Sequence, residues 1–230
     1  MTRRCFDLVF AVGVTLLAGG AGAQTPPSER ELRIYAGLHD AAARGDIAEI
    51  EKLAAEGEKL NIQDAKSRTP LHVAAYLKQH AAARALLKLG ANPNALEIDR
   101  YDIVTIAAVA NDLEMLKIAL EGGASAKNIT SRYAGTALIA AAHLGHAEAV
   151  KLLIAAKAPL NHVNNLGWTA LMEAVVLGNG GANHTATVRA LAEANCDVNI
   201  PDKQGTTALQ HARRRGYVEI ARILENAGAR

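Results

Sequence analysis

One position recurs along the chain. Gly57, Gly90, Gly123, Lys157, Asn195 and Gly228 each close a leucine-rich helical stretch, at spacings of 33, 33, 34, 38 and 33 residues. No unit of that size buries its own apolar face, so neighbours must stack into one continuous core. The residues at the recurring position suit a left-handed helix C-cap, which favours Gly and accepts Asn. Lys157 is the exception, and the pattern predicts a strained or differently built cap there.

Two more ladders run in register with the first. Thr69-Pro70-Leu71-His72, Thr136-Ala137-Leu138, Thr169-Ala170-Leu171 and Thr207-Ala208-Leu209 stand at helix starts, with Ala41, Ala74, Ala107, Ala141, Ala174 and Ala212 following in step. Asn92-Pro93-Asn94, Pro159-Leu160-Asn161 and Asp197-Val198-Asn199 close units. Composition agrees: 48 alanines and 27 leucines stand against 3% aromatics, which suits thin helices packed closely rather than one deep core. Balanced charge, +2 overall, argues against nucleic acid or any other polyanion bound by bulk charge.

These motifs resemble the ankyrin repeat, most closely in Thr69-Pro70-Leu71-His72-Val73-Ala74-Ala75 followed by Leu86-Leu87-Lys88-Leu89-Gly90-Ala91. The resemblance spans about six repeats and implies an all-α solenoid, each repeat a finger turn followed by helix–turn–helix. It divides the chain roughly at 31–63, 64–97, 98–128, 129–163, 164–201 and 202–230, after a linker at 24–30. Gly167-Trp168-Thr169-Ala170-Leu171 and His211-Ala212-Arg213-Arg214-Arg215-Gly216-Tyr217 resemble exported bacterial members. The third repeat departs, with Asp102-Ile103-Val104-Thr105 where Thr-Pro-Leu-His is expected, which leaves its helix start open. End repeats need polar outer faces. Asp40 and His211 stand where Val73 and Ile106 do, and Arg213 replaces the small residue of Ala75, Ala108 and Ala142.

The first 23 residues read as a signal peptide: Arg3 and Arg4, an apolar run from Leu8 to Leu17, then Ala21-Gly22-Ala23. A run of about ten residues falls short of the roughly 20 needed to span a bilayer, although an uncleaved anchor is the alternative. Cleavage after Ala23 places the protein in the periplasm, free of the membrane, with Cys196 as its one cysteine. A buried, inert thiol is the expectation there, because Asp197 beside it does not favour the thiolate.

Chemistry is sparse. Two cysteines exclude a disulfide scaffold and a multi-cysteine zinc site. The resemblance implies that His39 and His72 tie turn to helix and that His146 serves the inter-helix turn; His80, His162 and His184 are scattered. No histidine pair has i, i+4 spacing with a carboxylate, so no metal ligand is assigned. Neither a G-x-S-x-G elbow nor a phosphate loop is present, so no catalytic residue and no cofactor are assigned.

The resemblance implies a protein-binding module that works through fingertips and inner helices. Such a module fits a monomeric extracytoplasmic adaptor, chaperone or inhibitor of an envelope protein. The candidate contact residues are Tyr76, Leu77, Tyr101, Arg132, Tyr133, His143, Leu144, Trp168, Arg214 and Arg215. Register puts Tyr101, Tyr133 and Trp168 on fingers, and aromatics and Arg dominate interface hot spots; Trp168 equally suits packing against the next finger. The alternative is a periplasmic small-molecule or metal-binding protein using His143 and the His184 loop, with an enzyme last. Two further expectations follow. Glu173 and His211, at one repeat position, should pair across the stack. The extra residues of the fifth repeat, at 177–184, should form a flexible loop between its helices.

Overall fold

The computed structural model describes residues 24–230. The expected signal peptide and Cys5 lie outside the described residues. A short helix α1 (Glu29–Ile34) precedes six helix pairs: α2 (Gly37–Arg44) with α3 (Ile47–Ala55), α4 (Pro70–Tyr76) with α5 (His80–Leu89), and α6 (Ile103–Val109) with α7 (Leu113–Glu121). The series continues with α8 (Ala137–His143) and α9 (Ala147–Ala155), α10 (Ala170–Val176) and α11 (Ala182–Glu193), then α12 (Ala208–Arg214) and α13 (Val218–Asn226). Among the described residues there is no strand, only an isolated bridge between Thr130 and Gly135. None of these helices is long and apolar enough to cross a membrane.

The inner helices start where the Thr ladder says. Thr69, Thr136, Thr169 and Thr207 accept the backbone N–H three residues on, satisfying a donor the helix leaves orphaned. Asp102 does the same through Thr105 N, so the third repeat changes its cap without losing it. Lys157 adopts φ +64° and Asn195 +61°, the left-handed conformation that Gly57, Gly90, Gly123 and Gly228 take at the same position. For lysine this is strain, as its place in the ladder predicts. The alanine ladder lies wholly inside, with Ala41, Ala74, Ala107, Ala141, Ala174 and Ala212 buried between neighbouring inner helices. Small side chains there let repeats approach closely, while Leu86, Leu116, Leu153, Leu191 and Leu224 fill the layer of outer helices.

Polar ties join each repeat to the last. His72 Nδ1 accepts the Thr69 amide, so its proton sits on Nε2, which donates to the carbonyls of Ala95 (3.1 Å) and Tyr101 (3.2 Å). Burial pushes this imidazole below its usual value and keeps it neutral. His39 likewise meets the Arg68 carbonyl at 2.8 Å. Where the chain turns into an outer helix, a side chain reaches back to the preceding repeat. Gln79 donates to Ala43 O, His146 to Ala108 O and the Tyr217 hydroxyl to Gly178 O.

The fifth repeat keeps this tie with a different residue. His184 Nε2 donates to His143 O at 3.1 Å, and its Nδ1 lies 3.1 Å from Asn179 Oδ1. The flexible loop expected at 177–184 is therefore a packed one. Three of its residues join α11, which runs 12 residues against nine or ten in the other complete outer helices. Gly178 has no room for a Cβ, which would meet the Ala174 carbonyl and the His184 ring, and Gly180 (φ +69°) lies under the Tyr217 ring.

The expected Glu173–His211 pair does not form. Glu173, 4% exposed, accepts from His143 Nδ1 of the repeat before (2.9 Å) and from Asn164 Nδ2 of its own finger (2.9 Å). His211 Nε2 instead donates to Asp202 of its own finger at 2.7 Å. Asn164 and Asp202 each lie nine residues before their partner. The side chain at this helix position folds onto its own finger, a nearer polar group than the equivalent position one repeat away.

Candidate binding face

Residues 24–28 do not hang free of the repeats. Gln24 Nε2 donates to Thr105 O (3.1 Å), the Thr25 carbonyl accepts from Arg68 Nη1 (3.4 Å), and Pro27 is buried. Ser28 then caps α1 in a capping box with Glu31. The segment thus forms a strap reaching from the finger of the second repeat to the start of the inner helix of the third. Beneath it, Arg68 is fully buried, with Nη2 2.6 Å from Glu31 and Nε 2.8 Å from Asp64. The Tyr35 hydroxyl donates to Asp64 at 2.7 Å. Donation from the Ser28 hydroxyl and amide, opposed by partial burial and helped by Arg68, brings the Glu31 carboxyl down to about 2. Burial would raise Asp64, but Tyr35 and the Arg68 amide and guanidinium outweigh it and hold it below the usual carboxylate range. Sequence reading missed this cluster; an acidic helix start facing Lys66 and Arg68 was the available signal.

The fingers form one edge, joined by backbone bonds. Ile98 N donates to Lys66 O (2.9 Å), Ser131 N to Arg100 O (3.0 Å) and Asn165 N to Tyr133 O (2.9 Å). Along this edge Ile98 (60%), Tyr133 (43%) and Leu166 (38%) are exposed. Arg132 is exposed beside Tyr133, and its guanidinium lies 3.5 Å from Asp99. Trp168 is half-buried against the core. Tyr101 is a correction to the sequence reading: at 7% exposure it is a packing residue of the finger base, where its N–H donates to Glu97.

Behind the fingers runs the row of inner-helix ends. Tyr76, Leu77, His143 and Leu144 are half-buried there. The Tyr76 hydroxyl is shielded and has no partner among the described residues, and burial raises its proton affinity. The His143 imidazole is engaged with Glu173, while His184 meets the His143 carbonyl, so the two rings do not converge as a ligand pair. Among the described residues no group of three or more His, Cys, Asp or Glu is arranged to hold a metal ion. Arg214 is exposed and donates to His211 Nδ1 at 3.2 Å. Arg215, expected in the same row, turns instead to the Gly178 carbonyl and lies over the Tyr217 ring at 5.7 Å. Arg213, Arg214, Thr206 and Gln210 line a shallow, open cleft at this end. Cys196 is buried, which pushes its thiol up to about 11, with Asp197 adding to the effect; it takes no part in the face.

Residues 28–97 and 104–202 match the family model described as ankyrin repeats (3 copies). The putative ankyrin repeat protein YahD of Escherichia coli (strain K12) is 35% identical over 190 residues, covering 82% of this chain and 94% of that protein. A crystal structure of an ankyrin repeat domain from Acinetobacter baumannii AYE is 44% identical, with a TM-score of 0.80, covering 84% of this chain and 98% of that one. A chain from the complex of the predatory endopeptidase Bd0816 of Bdellovibrio bacteriovorus with immunity protein Bd3460 shares the fold at a TM-score of 0.69. It is 24% identical, and the match covers 84% of this chain and 98% of that one.

Proposed function

Because this chain belongs to the ankyrin-repeat family, whose stacked helix pairs serve as an interaction scaffold, we propose that it is a non-catalytic module that holds an envelope protein outside the cytoplasm. The observation that carries this reading is the exposure of Ile98, Tyr133 and Leu166 on the fingers of three consecutive repeats. Most other Leu and Ile residues of these repeats pack in or against the core, so apolar groups aligned on one edge mark a contact surface. The half-buried Trp168, next to Leu166 in sequence, extends that surface towards the inner helices. The signal-like start of the sequence supports a periplasmic site of action.

The test is affinity capture from periplasmic extract with the wild-type protein and with Trp168→Ala/Tyr133→Ala. The wild type should retain a stoichiometric protein band, and the double variant should lose at least about tenfold in affinity, the loss of one hot spot. Its helical circular dichroism should not change. Equal capture by the double variant would move the site off the fingers. N-terminal sequencing that finds Met1 retained in the membrane fraction would overturn the periplasmic part.

A further inference from the structure

The fingers sort their charges by sign. The residue that opens a finger is an acceptor, and it turns inward to cap its own turn. Asp64 accepts the amides of Lys66 and Arg68, Glu97 those of Asp99 and Tyr101, Asn164 those of Leu166 and Trp168, and Asp202 those of Gln204 and Thr206. Lys and Arg have no acceptor and cannot take that role. In the later fingers they fall at the tips, where Arg100, Arg132 and Lys203 are exposed, Lys203 also donating to the Asn165 carbonyl of the finger before. In the fingers of the third to sixth repeats, Asp99 is the one carboxylate not consumed in a finger cap, and it faces Arg132. Three cations against one carboxylate therefore alternate with Ile98, Tyr133 and Leu166.

The second repeat shows what such a finger holds when it is filled. There Glu31, carried in by the strap, lies 2.6 Å from Arg68 and 3.5 Å from Lys66. Among the described residues the strap reaches only as far as Thr105, where Gln24 is bound. We propose that the finger edge of the third to sixth repeats docks an acidic segment of the partner protein. Its carboxylates meet Arg100, Arg132 and Lys203, and its apolar side chains seat among Ile98, Tyr133 and Leu166. This rests on the binding-module reading above and adds the chemistry of the partner. A nucleic acid fits the edge less well: the chain is nearly neutral overall, and Tyr133 is the one exposed aromatic among the described residues of these fingers.

A random peptide library displayed on phage and panned against the full-length protein tests this. Enriched peptides should carry Asp or Glu around an aliphatic or aromatic residue, and their affinity should fall as NaCl rises. Resynthesised peptides should bind Arg100→Glu/Arg132→Glu at least about tenfold more weakly, since both replaced side chains are exposed and the reversal turns attraction into repulsion. Enrichment with no acidic preference overturns the proposal. So does unchanged binding to the charge-reversed variant, and if Trp168→Ala/Tyr133→Ala still abolishes binding, the module reading survives. Displacement of the peptides by a mixed-sequence single-stranded oligonucleotide at equal charge concentration overturns it in favour of a general polyanion site. A library that yields no binder, together with an empty periplasmic capture, overturns both readings.

Discussion

The two ends of the solenoid are closed by different means. At the N-terminal end an added element, the strap with α1, lies over the second repeat and puts Arg68 wholly out of solvent between Asp64 and Glu31. At the C-terminal end the last repeat itself exchanges apolar for polar side chains. Arg213–Glu225 (2.7 Å), Arg189–Glu219 (2.8 Å) and Arg222–Glu219 (2.6 Å) stay largely in water, and Val218 is 79% exposed. An added element can enclose a charge network, whereas substitution leaves these arginine–glutamate pairs solvated. The first closure is stiff but vulnerable at a few atoms. The second is tolerant because no single group carries it.

Replacing Arg68 tests that contrast most severely. Arg68→Ala leaves two carboxylates facing each other under the strap, and breaking a buried pair from one side costs about 3–5 kcal/mol. Arg213→Ala removes an exposed pair worth no more than about 1 kcal/mol. Urea unfolding of both variants measures the difference, and comparable losses would break the comparison.

Acid should separate the ends by a smaller margin. Glu31 titrates near about 2 and Asp64 is also lowered, so both bind protons more weakly folded than unfolded. Their contribution is complete above the unfolded value, 4.5 for Glu31, and is lost as pH falls towards about 2. At the other end Asp202 is lowered, its burial outweighed by His211 and the amides of Thr206 and Gln204, and Glu219 is lowered in open water by Arg189 and Arg222. Between pH 4.5 and 2, amide protection should therefore fall further in α2 and α4 than in α12. Hydrogen exchange showing equal losses would blur the distinction between the ends.

The middle of the stack sets the smallest effect. Lys157→Gly removes left-handed strain at an exposed position and leaves the packing around it as it is, so it should stabilise by about 0.5–1 kcal/mol in thermal unfolding. A gain of that size on an interior cap would calibrate what the ends add. No gain would place the strain elsewhere.

Much of this architecture is legible in the residues because it repeats. Six C-cap positions, five threonine-like caps and an alanine ladder each report the same geometry several times, and Asp102 reads as a cap once its side chain is given the role of Thr69. What repeats least is least legible. Stacked positions suggest Glu173 and His211 as neighbours, yet both side chains prefer the finger nine residues behind them. The inserted residues 177–184 read as loose because extra length suggests slack, yet His184 stands as far before the Asn195 cap as His146 stands before Lys157 and keeps the tie through the His143 carbonyl. Tyr101 reads as a fingertip because register fixes position along the chain but not which way a ring turns. The strap leaves no periodic trace at all, since it occurs once. On the proposed face, Arg132, Tyr133 and Trp168 stand out as candidates by residue type, whereas Ile98 and Leu166 read as ordinary aliphatics.

The finger bonds set how the molecule deforms. Each junction between the second and fifth repeats carries one inter-finger backbone bond, worth about 1 kcal/mol, while the helices behind are joined through fully buried side chains. Spreading two fingers breaks that bond and a few polar side-chain ties such as Arg132–Asp99 and His162 to the Ala134 carbonyl; sliding two helix pairs breaks close packing. Bending towards or away from the finger edge is thus the soft coordinate of the structure, and twist and stretch are hard ones. The chain behaves as a leaf spring, yielding in small equal steps from repeat to repeat, so a partner held as proposed would set the arc of the fingers that hold it.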